Sequence, residues 1–254
     1  MKLLSYSRFS LLALLLVSLF SCTKKDDFMS EPLSDYFPLQ TGKYITYRLD
    51  SMVFTNFGSI TETRRYQLKY VVDIPVTDNE GRPAWRVYTY INDSTASGQW
   101  VSNGTIVVTP LDKKIEVTED NLRVIKMHLP INPGFEWKGN AYLPFDPYGN
   151  SYDFSNDDDM RNWNFFYDQF EPTSEYRDQT YTDVYTIEQQ DESENAPVIN
   201  PSNYGYKNRG VEKYAKGIGL IFRHLELWEY QPNPSGVNPY KTGFGVIQWM
   251  VDHN

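Results

Sequence analysis

Between Arg65 and Ile74 the chain alternates, with Tyr66, Leu68, Tyr70, Val72 and Ile74 on one side and Gln67, Lys69 and Asp73 on the other. Side chains of a strand point to opposite faces with period two, whereas a helix repeats about every 3.6 residues, so this segment suits a half-buried strand. The pattern recurs. Lys43 to Leu49 sets Ile45, Tyr47 and Leu49 against Tyr44, Thr46 and Arg48, entered through Pro38 and a turn at Gly42. Trp85, Val87, Thr89 and Ile91 give another inner face. Twenty Tyr, fourteen Phe and six Trp supply the large rings that suit pleated, half-buried surfaces. The expected fold is mainly β: a single domain built on a curved antiparallel sheet, a half-barrel or sandwich-like meander, with little helix.

Turn chemistry joins these strands. Asp78 to Gly81 reads as one turn, and Asn103-Gly104, between Trp100-Val101 and Ile106 to Val108, reads as a two-residue hairpin whose residues both take φ > 0. Glu119-Asp120-Asn121 links Ile115 to Val117 with Leu122 to Leu129, and Pro130 and Pro133-Gly134 stop the meander. Glu212 to Tyr230 and Gly243 to Val251 read as closing strands, with Gly217 and Gly219 as a bulge or bend inside the first.

From Pro144 to Asp183 regularity fails, and ten acids stand against two arginines among eleven aromatics. Met160, Trp163, Tyr167 and Phe170 fit a helical spacing, yet Trp163, Phe165 and Tyr167 also alternate. The strand reading is preferred, because Thr180 to Gln190 follows at hairpin distance with Tyr181, Tyr185 and Ile187 on one face. This acidic, aromatic stretch is the candidate contact surface for a glycan or an envelope protein. Trp163, Tyr167 and Phe166 are its candidate ligand-contact residues.

The start of the chain has another character. Lys2 and Arg8 precede an apolar run from Phe9 to Phe20, and Ser21 stands before Cys22, the one cysteine of 254 residues. A basic segment, a short apolar run and a small residue are the parts of a secretory signal, too short to serve as a spanning helix. Leu19-Phe20-Ser21-Cys22 resembles the bacterial lipobox, in which the Cys thiol is acylated and the leader is cut before it. The resemblance implies a lipid anchor on Cys22. Two acyl chains, at about 0.8 kcal/mol per buried methylene, anchor stably where one does not. Lys24, Lys25, Asp26 and Asp27 are similar to the surface-export signal of Bacteroidota lipoproteins. The expected plan is a lipoprotein signal peptide over 1–21, a flexible tether over 22–35 and one β domain over 36–254. Its expected place is the outer membrane, with the cell surface preferred to the periplasmic face.

Four stretches, Tyr36 to Tyr47, Leu129 to Asn140, Glu212 to Gln231 and Gly243 to Asn254, resemble those of an uncharacterised family of Bacteroidota lipoproteins. That resemblance implies a mostly-β envelope domain and supplies no catalytic residues.

Charge and motifs narrow the function. Removing the leader, with Lys2 and Arg8 and no acid, takes the net charge from -9 to -11. No basic cluster could neutralise a row of phosphates, so nucleic acid is not an expected partner; the membrane, through Cys22, is. A lone cysteine leaves no disulfide, so the core must hold the fold. There is no P-loop, G-x-G-x-x-G, H-E-x-x-H or G-x-S-x-G, and no cofactor is expected.

His128, His224 and His253 lie far apart in sequence. His224 and Glu226 share a strand face but lack a nucleophile or metal beside them, and they read as a polar pair of the sheet. Asp153, Asp157, Asp158 and Asp159 offer hard oxygens of the kind Ca²⁺ takes, yet their spacing fits no EF-hand loop. They read as a solvated acidic loop, and no metal or catalytic residue is assigned. The expected function is a non-catalytic, lipid-anchored envelope lipoprotein, a binding or assembly module. The alternatives are a half-barrel carrier of a hydrophobic ligand and an envelope glycan hydrolase. Cys22→Ser is expected to move the protein from the detergent-rich to the aqueous phase on partitioning and to remove the acyl mass seen by intact mass spectrometry.

Overall fold

The computed structural model describes residues 31–176, 179–232 and 238–254; the leader and Cys22 lie outside them. Twelve strands make one sheet: β1 (Tyr44–Thr55), β2 (Ile60–Thr77), β3 (Pro83–Asp93), β4 (Val101–Pro110), β5 (Lys114–Glu119), β6 (Leu122–His128), β7 (Glu136–Trp137), β8 (Phe165–Tyr176), β9 (Gln179–Glu194), β10 (Gly205–Ala215), β11 (Gly219–Gln231) and β12 (Tyr240–His253). Their order is β6-β5-β4-β3-β2-β1-β12-β11-β10-β9-β8-β7, and every neighbouring pair is antiparallel. The mainly-β, curved-sheet expectation holds, and among the described residues there is no α-helix, only short 3₁₀ turns at Leu33–Asp35 and Met160–Asn162.

Consecutive strands are neighbours except β6 and β7. The last strand, β12, closes back onto the first, and β6 and β7 stand at opposite edges. Those edges meet. Ile125 N on β6 donates to Gly139 O just beyond β7 at 2.8 Å, and Trp137 Nε1 donates to Ile125 O at 2.9 Å. The sheet thus curls into a nearly closed barrel, which removes most of the exposed edge.

Bulges supply the curvature. Register shifts fall between Thr46 and Tyr47, between Val72 and Pro75, and between Thr89 and Tyr90. Each adds a residue to one strand and sharpens its bend. The second of them corrects one expectation: Leu68 is buried and Tyr70 and Val72 pack on the core, but Ile74 is 44% exposed. The extra residue at this bulge breaks the alternation that would have kept Ile74 in phase.

The third corrects another. Asn103-Gly104 is no hairpin; it lies inside β4, where Thr89 pairs with Gly104 and Tyr90 with Ser102, leaving Asn103 as the bulged residue. The turn between β3 and β4 is made instead by Asp93. Its carboxylate accepts the backbone N–H of Thr95 at 2.8 Å and of Gly98 at 2.6 Å. Two adjacent residues with φ > 0 do occur in the β5–β6 turn, at Asp120 (50°) and Asn121 (62°).

Glu212 to Tyr230 is likewise two strands, β10 and β11, and Gly217 belongs to the hairpin between them with φ 75°. Its N–H donates to Asp35 O at 2.7 Å. That contact carries a further correction, because residues 31–35 of the expected tether belong to the folded domain. Leu33 is buried, the Tyr36 hydroxyl donates to Glu31 at 2.8 Å, and Lys216 pairs with Glu31 and Asp35. The remainder of the tether, 22–30, lies outside the described residues.

In the ambiguous segment the strand reading holds from Phe165 onward, and only Met160–Asn162 turns as a 3₁₀ helix. Gly243 marks the tightest strand approach. At φ 113°, a Cβ there would lie 2.2 Å from Leu227 O and 2.7 Å from Trp228 Cα. Gly243→Ala is therefore expected to cost about 3 kcal/mol, read as a lower urea midpoint, because strained backbone and a backbone clash combine.

Candidate functional site

Val87, Ile106 and Val108 are buried on β3 and β4 and, with the half-buried Val72 and Val117, wall an apolar cavity of about 120 Å³ inside the barrel. Its mouth is made by the segment that enters the domain. Phe37, Pro38 and Leu39 lie there, half-buried, beside Tyr44, Ile45 and Ile218 of the same end. Phe37 is held by a ring contact with Tyr214, centroids 5.2 Å apart.

The floor is polar. Glu212, only 1% exposed, accepts from Lys126 Nζ at 2.6 Å and from the Tyr214 hydroxyl at 2.8 Å, and Arg223 Nε stands 3.4 Å away. Arg223 also reaches Glu119 at 3.5 Å. Burial alone would raise the Glu212 carboxyl, but the Lys126 ammonium and the Arg223 guanidinium outweigh it and hold it below the usual carboxylate range. Two cations and two anions satisfy one another, so the floor offers no free charge and most of the remaining lining is apolar.

The three residues expected at a contact surface separate. Tyr167 is fully buried. Its hydroxyl donates to His128 O at 2.8 Å and receives His128 N–H at 3.2 Å, tying β8 to the end of β6. Trp163 is 5% exposed and belongs to the same core. Both rings belong to the buried core, Trp163 at the end of the loop from Lys138 to Asn164 and Tyr167 on β8. Phe166 alone is half-buried. It stands with the rim of Trp163 in a polar cleft of about 480 Å³ that also holds Asn156, Asn208, Gln190, Glu136 and Glu192.

His224 Nε2 and Glu226 lie 3.0 Å apart. The Glu226 carboxylate also accepts from Trp228 Nε1 at 2.7 Å and pairs with Lys207 at 3.0 Å. The pair is a satisfied feature of the sheet, as its sequence setting suggests. His128 stacks on Phe135 and His253 is exposed at the end of β12.

The acids of the long loop are placed differently from their sequence spacing. Asp157 and Asp158 meet Asp146, one carboxylate oxygen of each within 4.8 Å of the others; Asp153 and Asp159 are not part of this group. Sequence reasoning missed Asp146 and the charged floor. A usable signal existed for the floor: Lys126 is in phase with Leu122 and Val124, and Glu212 with Tyr214, so a base and an acid each occupy an apolar face.

No family model matches the sequence, and no curated protein matches it. Three solved structures are similar. One, from Bacteroides fragilis, is provisionally described as an exported protein with a YmcC-like fold, at 14% identity and TM-score 0.38, over 84% of this chain and 97% of that one. Another, from Vibrio parahaemolyticus, is provisionally described as an outer membrane lipoprotein-sorting protein domain, at 13% identity and TM-score 0.20, over 84% and 85%. The third is a DUF1329 family protein from Desulfovibrio piger, at 11% identity and TM-score 0.20, over 86% and 88%. At these values no ligand or activity passes from them to this chain.

Burial raises the Glu226 carboxyl, yet its bonds to His224, Trp228 and Lys207 prevail and hold it at about 2, against an ordinary 4.5. A depressed acid stabilises the fold above its ordinary value and loses that contribution as pH falls through the lower one. Glu226→Gln is expected to be less stable than wild type by about 2 kcal/mol at neutral pH, with the gap closing from about pH 4.5 downward in urea titrations.

Proposed function

We propose that this chain is a non-catalytic lipoprotein of the cell envelope that takes the apolar end of a ligand into its barrel. The observation that carries this reading is the apolar cavity with Phe37 to Leu39 at its mouth. A lipid on Cys22 would anchor the chain to the outer membrane, and Lys24 to Asp27 support display at the cell surface. Among the described residues no helix is long and apolar enough to cross a membrane.

Volume sets the occupant. A dry engineered cavity of about 150 Å³ takes a benzene ring, so about 120 Å³ admits one ring or a short aliphatic stretch. A whole acyl chain exceeds that space, and most of a lipid-sized ligand would remain outside. The reading therefore joins the binding module to a restricted form of the carrier. The polar cleft around Phe166 supports a second contact, to a glycan or an envelope protein, since a ring edge among amides and acids suits both.

A dansyl-labelled undecanoic acid tests the cavity. Wild type is expected to bind it with enhanced fluorescence. Val108→Phe, which fills the space, and Leu39→Arg, which places charge at the half-buried mouth, are each expected to weaken binding at least tenfold. Undiminished binding in folded variants, or none in wild type, would overturn the reading.

A further inference from the structure

Asp157 is fully buried, yet it lacks the partners a buried carboxylate requires. Its Oδ2 accepts the Tyr148 backbone N–H at 3.0 Å, while Oδ1 has no hydrogen-bond partner. The carboxylates of Asp146 and Asp158 face it, one oxygen from each of the three within 4.8 Å of the others. No ion pair among the described residues includes any of these three acids. An unsatisfied buried oxygen is costly, and two further negative charges beside it make it more so. Elsewhere in the fold the buried acids Glu116 and Glu212 are each met by a lysine and an arginine.

We propose that Asp146, Asp157 and Asp158 hold a calcium ion. Oxygens bound to one Ca²⁺ at about 2.3–2.6 Å can be up to about 5 Å apart, which the grouping satisfies. A set made of protein carboxylates suits Ca²⁺ better than Mg²⁺, which keeps its waters and favours one or two carboxylates plus phosphate. The ion supplies the Asp157 carboxylate with a cationic partner and removes the repulsion among the three.

The site has a mechanical consequence. Tyr148 and Tyr152 rest on Phe244 of β12, with centroids 5.0 and 5.1 Å away, and Glu229 Oε1 accepts the N–H groups of Ser155 and Asn156 at 2.7 and 2.8 Å. Calcium between Asp146 and Asp157-Asp158 clips the two ends of this loop together, next to the cleft residues Asn156 and Asp159. Gly149 is part of the fit, because a Cβ there would lie 1.8 Å from Asp146 Oδ2.

The test uses the full chain in detergent, stripped with EDTA and titrated with CaCl₂ alone. Calorimetry is expected to show one site, and about 1 mM Ca²⁺ to raise the melting temperature by about 5 °C. Asp146→Ala and Asp158→Ala are expected to melt like wild type in EDTA and to lose both responses. Gly149→Ala is expected to weaken binding through displacement of Asp146. Asp157→Asn, which removes the buried charge, is expected to melt at or above wild type in EDTA and to ignore calcium. Three results would overturn the assignment: no heat and no shift in wild type, a response that survives in Asp146→Ala, or a response to MgCl₂ with none to CaCl₂. Wild type inert to calcium while Asp157→Asn alone gains stability would assign the cluster to a shared proton and overturn it equally.

Discussion

Glu212 is the point at which the two halves of the sheet meet. It sits on β10, yet its partners include Lys126 of β6, and Arg223 beside it on β11 reaches Glu119 of β5. In the order of strands these residues are far apart, so the contacts exist only because the sheet has curled across its own interior. A buried network of this kind gains little over apolar packing, whereas removal of one member leaves a charge without a partner, at about 3–5 kcal/mol. The network therefore acts on register more than on total stability: alternatives that shift β5–β6 against β10–β11 strand a charge inside the barrel.

The cavity follows from that arrangement. Charges that must stay paired hold the interior open at the floor, and the valines of β2 to β5 are too short to fill the space above them. The bulges at Thr46–Tyr47, at Val72–Pro75 and at Asn103 opposite Thr89 and Tyr90 bend the strands around it, and the segment from Leu33 to Leu39 packs at its end. Position and chemistry are linked in this way. The residues at the cavity mouth are those that the incoming chain contributes, and the ions of the floor are already satisfied.

Much of this was legible in the primary structure and some was not. Alternation located β1 to β3, and the glycines and asparagines marked where chain direction changes. Their exact use escaped, since Asn103-Gly104 has the composition of a turn but lies where β3 needs a bulged partner, and Gly217 marks a full reversal. Trp163 and Tyr167 look like a binding surface because acids surround them in sequence. In space both rings are buried in the core of the barrel. Of the three candidate contact residues Phe166 alone is half-buried, and it lines a cleft together with the buried Trp163. Asp146 was invisible as a companion of Asp157, since eleven positions and no regular element separate them.

By itself the sequence determined that this is a β chain with a single cysteine, which follows a short apolar run, because periodicity and composition are local properties. It also determined that the early strands pair as antiparallel neighbours, since short turns leave successive strands little choice of neighbour. Only the tertiary structure decided that β12 returns to β1, that the edges at Ile125 and Gly139 meet, and that Lys126 faces Glu212 across a cavity. Those are contacts between residues remote in the chain, formed when long-range packing repays the entropy of bringing them together, and no local pattern records them.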